Sequence, residues 1–149
     1  MRVLGVDFGL RRIGLAVSDP GERLATPLRT LRLTTVRDAP SAVAEAVRFV
    51  AAEAVVVGVP LGLEGEESRP EVRRVRRFAK ALRRETGLPV HLVDESLSSR
   101  EAEERTGARW GTGEEESLHA AAAAVILQRW LDRPRAGRAA EPPNSEPGE

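Results

Sequence analysis

VLGVDFGLRRIGLAVSD, running from Val3 to Asp19, decides how the chain is read. It divides into two short apolar strands, Val3–Phe8 and Ile13–Val17, joined by a tight turn that holds Gly9 and the pair Arg11-Arg12. Asp7 stands inside the first strand, where an ionised carboxylate is costly unless a cation or several hydrogen bonds compensate for it. Two readings are open. Asp7 is a metal-binding carboxylate on the face of a sheet, or it caps the turn at a frayed strand end.

Outward from this hairpin, Asp19-Pro20-Gly21 is a turn, with Asp19 as its turn-former. Pro27–Leu33, with leucines at 28, 31 and 33, is a third and weaker strand that completes an antiparallel meander. Asp38 and Ser41 are N-cap candidates for a helix over Ala42–Ala52, where Val43, Ala46, Val47 and Val50 recur at helical spacing. The β-branched run Ala54–Val59 suits a strand covered on both faces, as in parallel sheets. After a loop over Leu61–Arg69, Pro70–Thr86 is a helix with proline at its start and Gly87 past its end. Val72, Val75, Phe78, Ala79 and Leu82 form its apolar stripe, and arginines cover the rest.

Pro89–Val93 is a further strand, followed at once by Asp94-Glu95. Ser98 and Glu101 make a capping box for a helix to Arg105. A loop with Arg109 and Trp110 then leads to a final helix from about Glu115 to Leu131, which contains His119 and an alanine run. From Arg133 the chain shows no apolar periodicity, so residues 1–132 form the domain and 133–149 a disordered tail. Three antiparallel strands followed by βαβ units imply an α/β fold, a mixed five-stranded sheet flanked by helices.

The 149 residues, 41% hydrophobic and 31% charged, suit one soluble domain. There is no cysteine, which removes disulfides, thiolate metal sites and cysteine nucleophiles. No signal-peptide layout opens the chain, and the longest apolar run, Ala120–Leu127, is far too short for a membrane span. A cytoplasmic protein with no membrane role is expected. The formal net charge is zero, but Lys80 is the lone lysine among the basic residues. Arginine's planar fork suits phosphate, although codon usage or a thermal trait explains the bias equally well.

Asp7 and Glu95, each at a strand end, come together if the first strand is central. Oxygen donors without sulfur select hard cations such as magnesium or manganese, and paired acids beside a basic surface fit metal-assisted phosphodiester hydrolysis. Asp7-Phe8-Gly9, then Arg12-Ile13-Gly14, Ala16, Ser18 and Asp19, resemble the opening motif of the YqgF family. These are small bacterial proteins related to the Holliday-junction resolvase RuvC, with a ribonuclease H-like fold. The resemblance continues through Val57–Leu61, Gly65, Val93-Asp94-Glu95, Leu97-Ser98 and Ala123–Gln128, and covers about residues 1–132.

The resemblance implies a metal-dependent nuclease that processes the 5′ end of the small-subunit (16S) ribosomal RNA precursor, with Mg2+ or Mn2+ held by three acids. Asp7 and Glu95 match two of them. The third is usually an aspartate opening the Ala-rich helix, and His119 stands at that position. Imidazole still ligates metal, manganese better than magnesium, so His119 is expected to keep the role; its loss would leave a weak site. Ser96 stands where the family often has arginine. The rival readings are a resolvase of branched DNA and a catalytically weak RNA-binding module. The partner is thus a structured RNA or branched DNA, and the protein a monomer or homodimer.

Arg11 and Arg12 are candidate phosphate contacts, or members of a solvated turn. Arg73 and Arg77 belong to a helix that is either a nucleic-acid patch or a solvated face. Trp110 stacks on a base or closes the core. Asp94 faces away from Glu95 in a strand, which suits a turn or cap, and His91 reads as a satisfied or exposed strand histidine.

Overall fold

In the computed structural model, residues 1–60, 69–94 and 114–138 are described. In chain order they form β1 (Val3–Asp7), β2 (Arg12–Ser18), β3 (Ala25–Arg32), a single 3-10 turn (Val36–Asp38), α1 (Ala39–Val50), β4 (Ala54–Val59), α2 (Pro70–Thr86), β5 (Val90–Asp94), α3 (Glu114–Leu131) and the short α4 (Arg135–Arg138). The strands make one sheet in the order β3-β2-β1-β4-β5. β1 pairs antiparallel with β2 and parallel with β4, and β5 extends the parallel side. The central strand is therefore the one that carries Asp7, and the ends of β1, β4 and β5 share one edge.

Period-two alternation sends successive side chains of β1 to opposite faces, and both faces are covered. Leu4 and Val6 join Ile13, Leu15, Val55 and Val57 under α1 and α2. Val3, Ala16, Val56 and Val93 lie under α3. The buried stripe of α2 is Val72, Val75, Phe78, Ala79 and Leu82, and Gly87 closes it in the left-handed conformation, φ 71°. This is the mixed α/β sheet expected from the sequence.

Three elements differ from the sequence reading. β3 begins at Ala25, with Pro27 inside it. A proline without an N–H is tolerated because β3 is an edge strand, and the ladder slips there. Leu15 faces Arg29 and Ala16 faces Pro27, which leaves Leu28 as an extra residue. α1 starts three residues before the expected Ala42, follows the 3-10 turn without a side-chain cap, and ends on Ala51 at φ 57°.

The chain beyond Arg133 also continues in contact with the domain through residue 138. Arg138 donates to the carbonyls of Leu131 and Arg133 and pairs with Glu22 of the β2–β3 turn. Charged contacts leave no apolar period to read. Residues 139–149 lie outside the described residues, as do 61–68, Glu95, Ser96, the helix expected over 98–105, and the loop with Arg109 and Trp110.

Candidate active site at the end of the first strand

Asp7 closes β1 on the face covered by α3. Opposite it in the ladder stands Gly14 of β2, and that glycine seats the helix. A Cβ on Gly14 would run into the carbonyl group of His119 and the nitrogen of Ala120. Gly5, one full pleat back, makes a similar approach. Its missing Cβ would lie 2.7 Å from Leu127 Cβ and 3.0 Å from the Ala123 oxygen. α3 therefore runs against β1 with its N-terminal half at the Asp7 end, then crosses the sheet until Trp130 meets His91 of β5 at 5.0 Å between ring centroids.

This seating brings His119 to Asp7. Nδ1 lies 3.9 Å from Asp7 Oδ2, with the carboxylate 15% and the imidazole 33% exposed. The separation exceeds hydrogen-bonding distance, and the contact is an ion pair only when the imidazole is protonated. Both atoms are of the kinds that could ligate a divalent cation. An imidazole beside a carboxylate is a mixed nitrogen and oxygen set, which manganese accepts more readily than magnesium does.

β5 ends at Asp94, opposite Val59. Asp94 is exposed, and its carbonyl accepts a 2.7 Å hydrogen bond from Arg129 Nη1, which ties α3 to the strand end that precedes Glu95. Glu95 itself lies outside the described residues, and among the described residues no three potential ligands converge. Asp7 and His119 are thus the two expected ligands that the structure brings together.

The remaining candidates fall into two groups. Arg11 and Arg12 flank the turn beyond Asp7; Arg11 is exposed, and its carbonyl accepts from Leu33 N at 2.8 Å. Arg73 and Arg77 are exposed on α2, across the sheet from His119. Asp19 is the turn-former expected of it. Its Oδ1 accepts from Arg23 N and Leu24 N at 2.8 Å each, and these amides, Leu24 first, hold its carboxyl below the ordinary range.

Sequence reasoning missed Gln128. Its Oε1 accepts from Ala25 N and its Nε2 donates to Arg23 O, both at 2.9 Å, so that α3 is stapled to the β2–β3 turn. The only hint was its place at the end of the Ala123–Gln128 motif.

The model of the RuvX family, described as Holliday junction resolvase, matches residues 1–133. This chain belongs to the RuvX family. RuvX and YqgF name the same family, so the resemblance read from the motifs holds. Similar relatives are named pre-16S rRNA nuclease. That of Maridesulfovibrio salexigens is 42% identical over 136 residues, covering 89% of this chain and 99% of its own. That of Anaeromyxobacter sp. strain K is 47% identical over 135 residues, covering 89% and 98%. Family and relatives make this RuvX-family chain a nuclease, a hydrolase of phosphodiester bonds.

Among solved structures, RuvC of T. thermophilus in complex with a Holliday junction substrate matches with a TM-score of 0.61 at 21% identity. The match covers 93% of this chain and 97% of that one. A second structure of Thermus thermophilus RuvC gives 0.55 at 20%, covering 88% and 94%. Both show the shared ribonuclease H-like fold. Among the described residues no helix is long and apolar enough to cross a membrane.

Proposed function

We propose that this nuclease cuts the 16S ribosomal RNA precursor near its 5′ end in the cytoplasm, with a divalent cation held by Asp7, Glu95 and His119. The observation that carries the reading is the facing pair of Asp7 and His119 at the end of the central strand. The names of the relatives supply the substrate.

A divalent cation in this site supplies Lewis acidity toward the scissile phosphate and the attacking water. The chain's part is to hold and orient. Asp7 offers an acceptor-only carboxylate on a strand fixed on both sides by ladders. His119 offers an imidazole nitrogen, its position set by the seating of α3 on Gly14. Arg11 and Arg12, at the turn beyond Asp7, would hold a phosphate flanking the cut as charge-assisted donors. A family description as Holliday junction resolvase supports a second reading, in which the same centre cuts branched DNA.

The test is cleavage of a labelled precursor RNA and of a four-way DNA junction, with manganese, magnesium or chelator. Asp7→Asn should abolish metal-dependent cutting with the circular-dichroism melt unchanged, and His119→Asp should raise activity in magnesium relative to manganese. Full activity in Asp7→Asn removes the proposed centre.

A further inference from the structure

A groove opens on the other face of the sheet, where β1 ends against α2. Phe8 stacks on Phe78 there, with ring centroids 4.7 Å apart and planes inclined by 27°. Pro40, Arg37, Arg74 and Arg77 line it beside the two rings. The cavity is about 330 Å3, its lining is mostly apolar, and among the described residues no carboxylate contributes to it. That volume is at the small end of the ~300–1,000 Å3 range of ligand sites. A second hollow continues from Phe8 and Arg74 past Gly9, Leu10 and the carboxylate of Glu71, toward the turn that follows Asp7.

Packing accounts for Phe78, which is buried. It does not account for three guanidinium groups around a half-open aromatic floor. Glu71 faces Arg74, but an apolar partner would desolvate Arg37 and Arg77 without an anion in return. A flat π-system joined to phosphates satisfies both, with stacking on the ring and charge-assisted bonds to the arginines. Phe8 also follows Asp7 directly in the chain, and the two side chains point to opposite faces of the same strand end. A strand of nucleic acid passing over that end meets both.

We propose that this groove binds one unpaired nucleotide adjacent to the scissile bond, its base on Phe8 and its phosphates on Arg37, Arg74 and Arg77. The inference rests on the nuclease reading and names a feature of its substrate: the bond that is cut lies next to a base free of its duplex. A fully paired site leaves the groove empty and binds less well.

The experiment uses the full-length protein in EDTA and fluorescence anisotropy with twelve-nucleotide single strands, as RNA and as DNA. A single abasic site is moved along each strand. Wild type should show one position at which base removal weakens binding about 5- to 150-fold, the range of base–aromatic stacking. Phe8→Leu should bind the intact strand as weakly as wild type binds that abasic strand, with no further abasic penalty. Arg37→Gln with Arg77→Gln, both exposed, should flatten the dependence of log Kd on log salt by about 0.7 per lost phosphate contact.

A penalty on RNA alone or on DNA alone assigns the strand. A flat abasic scan, a full penalty surviving in Phe8→Leu, or no binding of either strand overturns the proposal. Should Phe8→Leu fail to fold, the abasic scan and the arginine pair decide. Metal-dependent cleavage, assayed separately, keeps the two readings apart: cutting without an abasic footprint removes the groove and keeps the metal centre, and a footprint without cutting does the reverse.

Discussion

Arg138→Ala should cost this protein about a third of an ordinary domain's stability, although the residue lies beyond the last sheet-packing helix. Arg138 Nη1 is 3.0 Å from Glu22 Oε1, and the two side chains are 11% and 8% exposed. Removing one partner of a buried pair costs ~3–5 kcal/mol, because the other charge stays behind without compensation. Two weaker partners soften that loss. Arg135 lies at 3.5 Å but is 72% exposed, and the N-terminal ammonium lies at 3.9 Å. Against them, Arg138 also sits over the Trp130 ring at 5.1 Å, a contact of ~0.5–2 kcal/mol.

The net expectation is a loss of ~3 kcal/mol. With a urea slope of ~2 kcal/mol per molar, the unfolding midpoint should fall by ~1.5 M. The assay is urea unfolding followed by far-ultraviolet circular dichroism. Glu22→Gln combined with Arg138→Gln should recover about half of the loss, since no buried charge then remains. A midpoint for Arg138→Ala within ~0.3 M of wild type would show that the pair is solvated and that α4 contributes nothing to the domain.

A methyl group at Gly14 meets the backbone of His119 and Ala120, which cannot turn aside, so Gly14→Ala should cost ~1–3 kcal/mol and lower cleavage about 100-fold by displacing His119. Gly5→Ala presses instead on Leu127 and Ala123, away from the centre, and should leave kcat within a few-fold; equal losses of activity in the two variants would refute the seating argument. The carboxyl of Asp19 is held below its usual 3.8 by the amides of Leu24 and Arg23, so its contribution is complete above 3.8 and is lost as pH falls through the lowered folded value. Asp19→Asn should therefore shrink the decline of the urea midpoint on acidification below 3.8, and an unchanged acid limb would count against it. Gln128→Ala should cost ~1–3 kcal/mol through two lost bonds to the backbone, read in the same urea assay.

What could be read from the sequence was whatever repeats. The β1–β2 hairpin, β4 and the whole of α2 follow from runs and stripes of apolar residues, which imply the mixed sheet; the central place of β1 is seen only in the strand order. Asp7 was legible because a charge has no place in such a run. β3 was misjudged at its start because Pro27 reads as a boundary, and an edge position with a bulge that admits it is a tertiary fact. α4 was missed because salt links from Glu22, at φ 59° in a turn, carry no periodicity. His119 was visible only through family resemblance. Nothing in its neighbourhood says that a glycine over a hundred residues earlier makes room for it. The pairing of Phe8 with Phe78 was hidden for the same reason: each looked like a core residue of its own element.

The centre is drawn from opposite ends of the chain, and this bears on when the protein can act. The β1–β2–β3 meander is local and can form early, whereas the contact of α3 with Gly14 has a long loop to close. At ~5–20 residues per second, His119 leaves the ribosome roughly 5–20 s after Asp7. Until then the nascent chain carries the carboxylate without its imidazole partner. Synthesis that stops before α3 leaves a sheet uncovered on one face, and under the proposed centre such a chain should not cut.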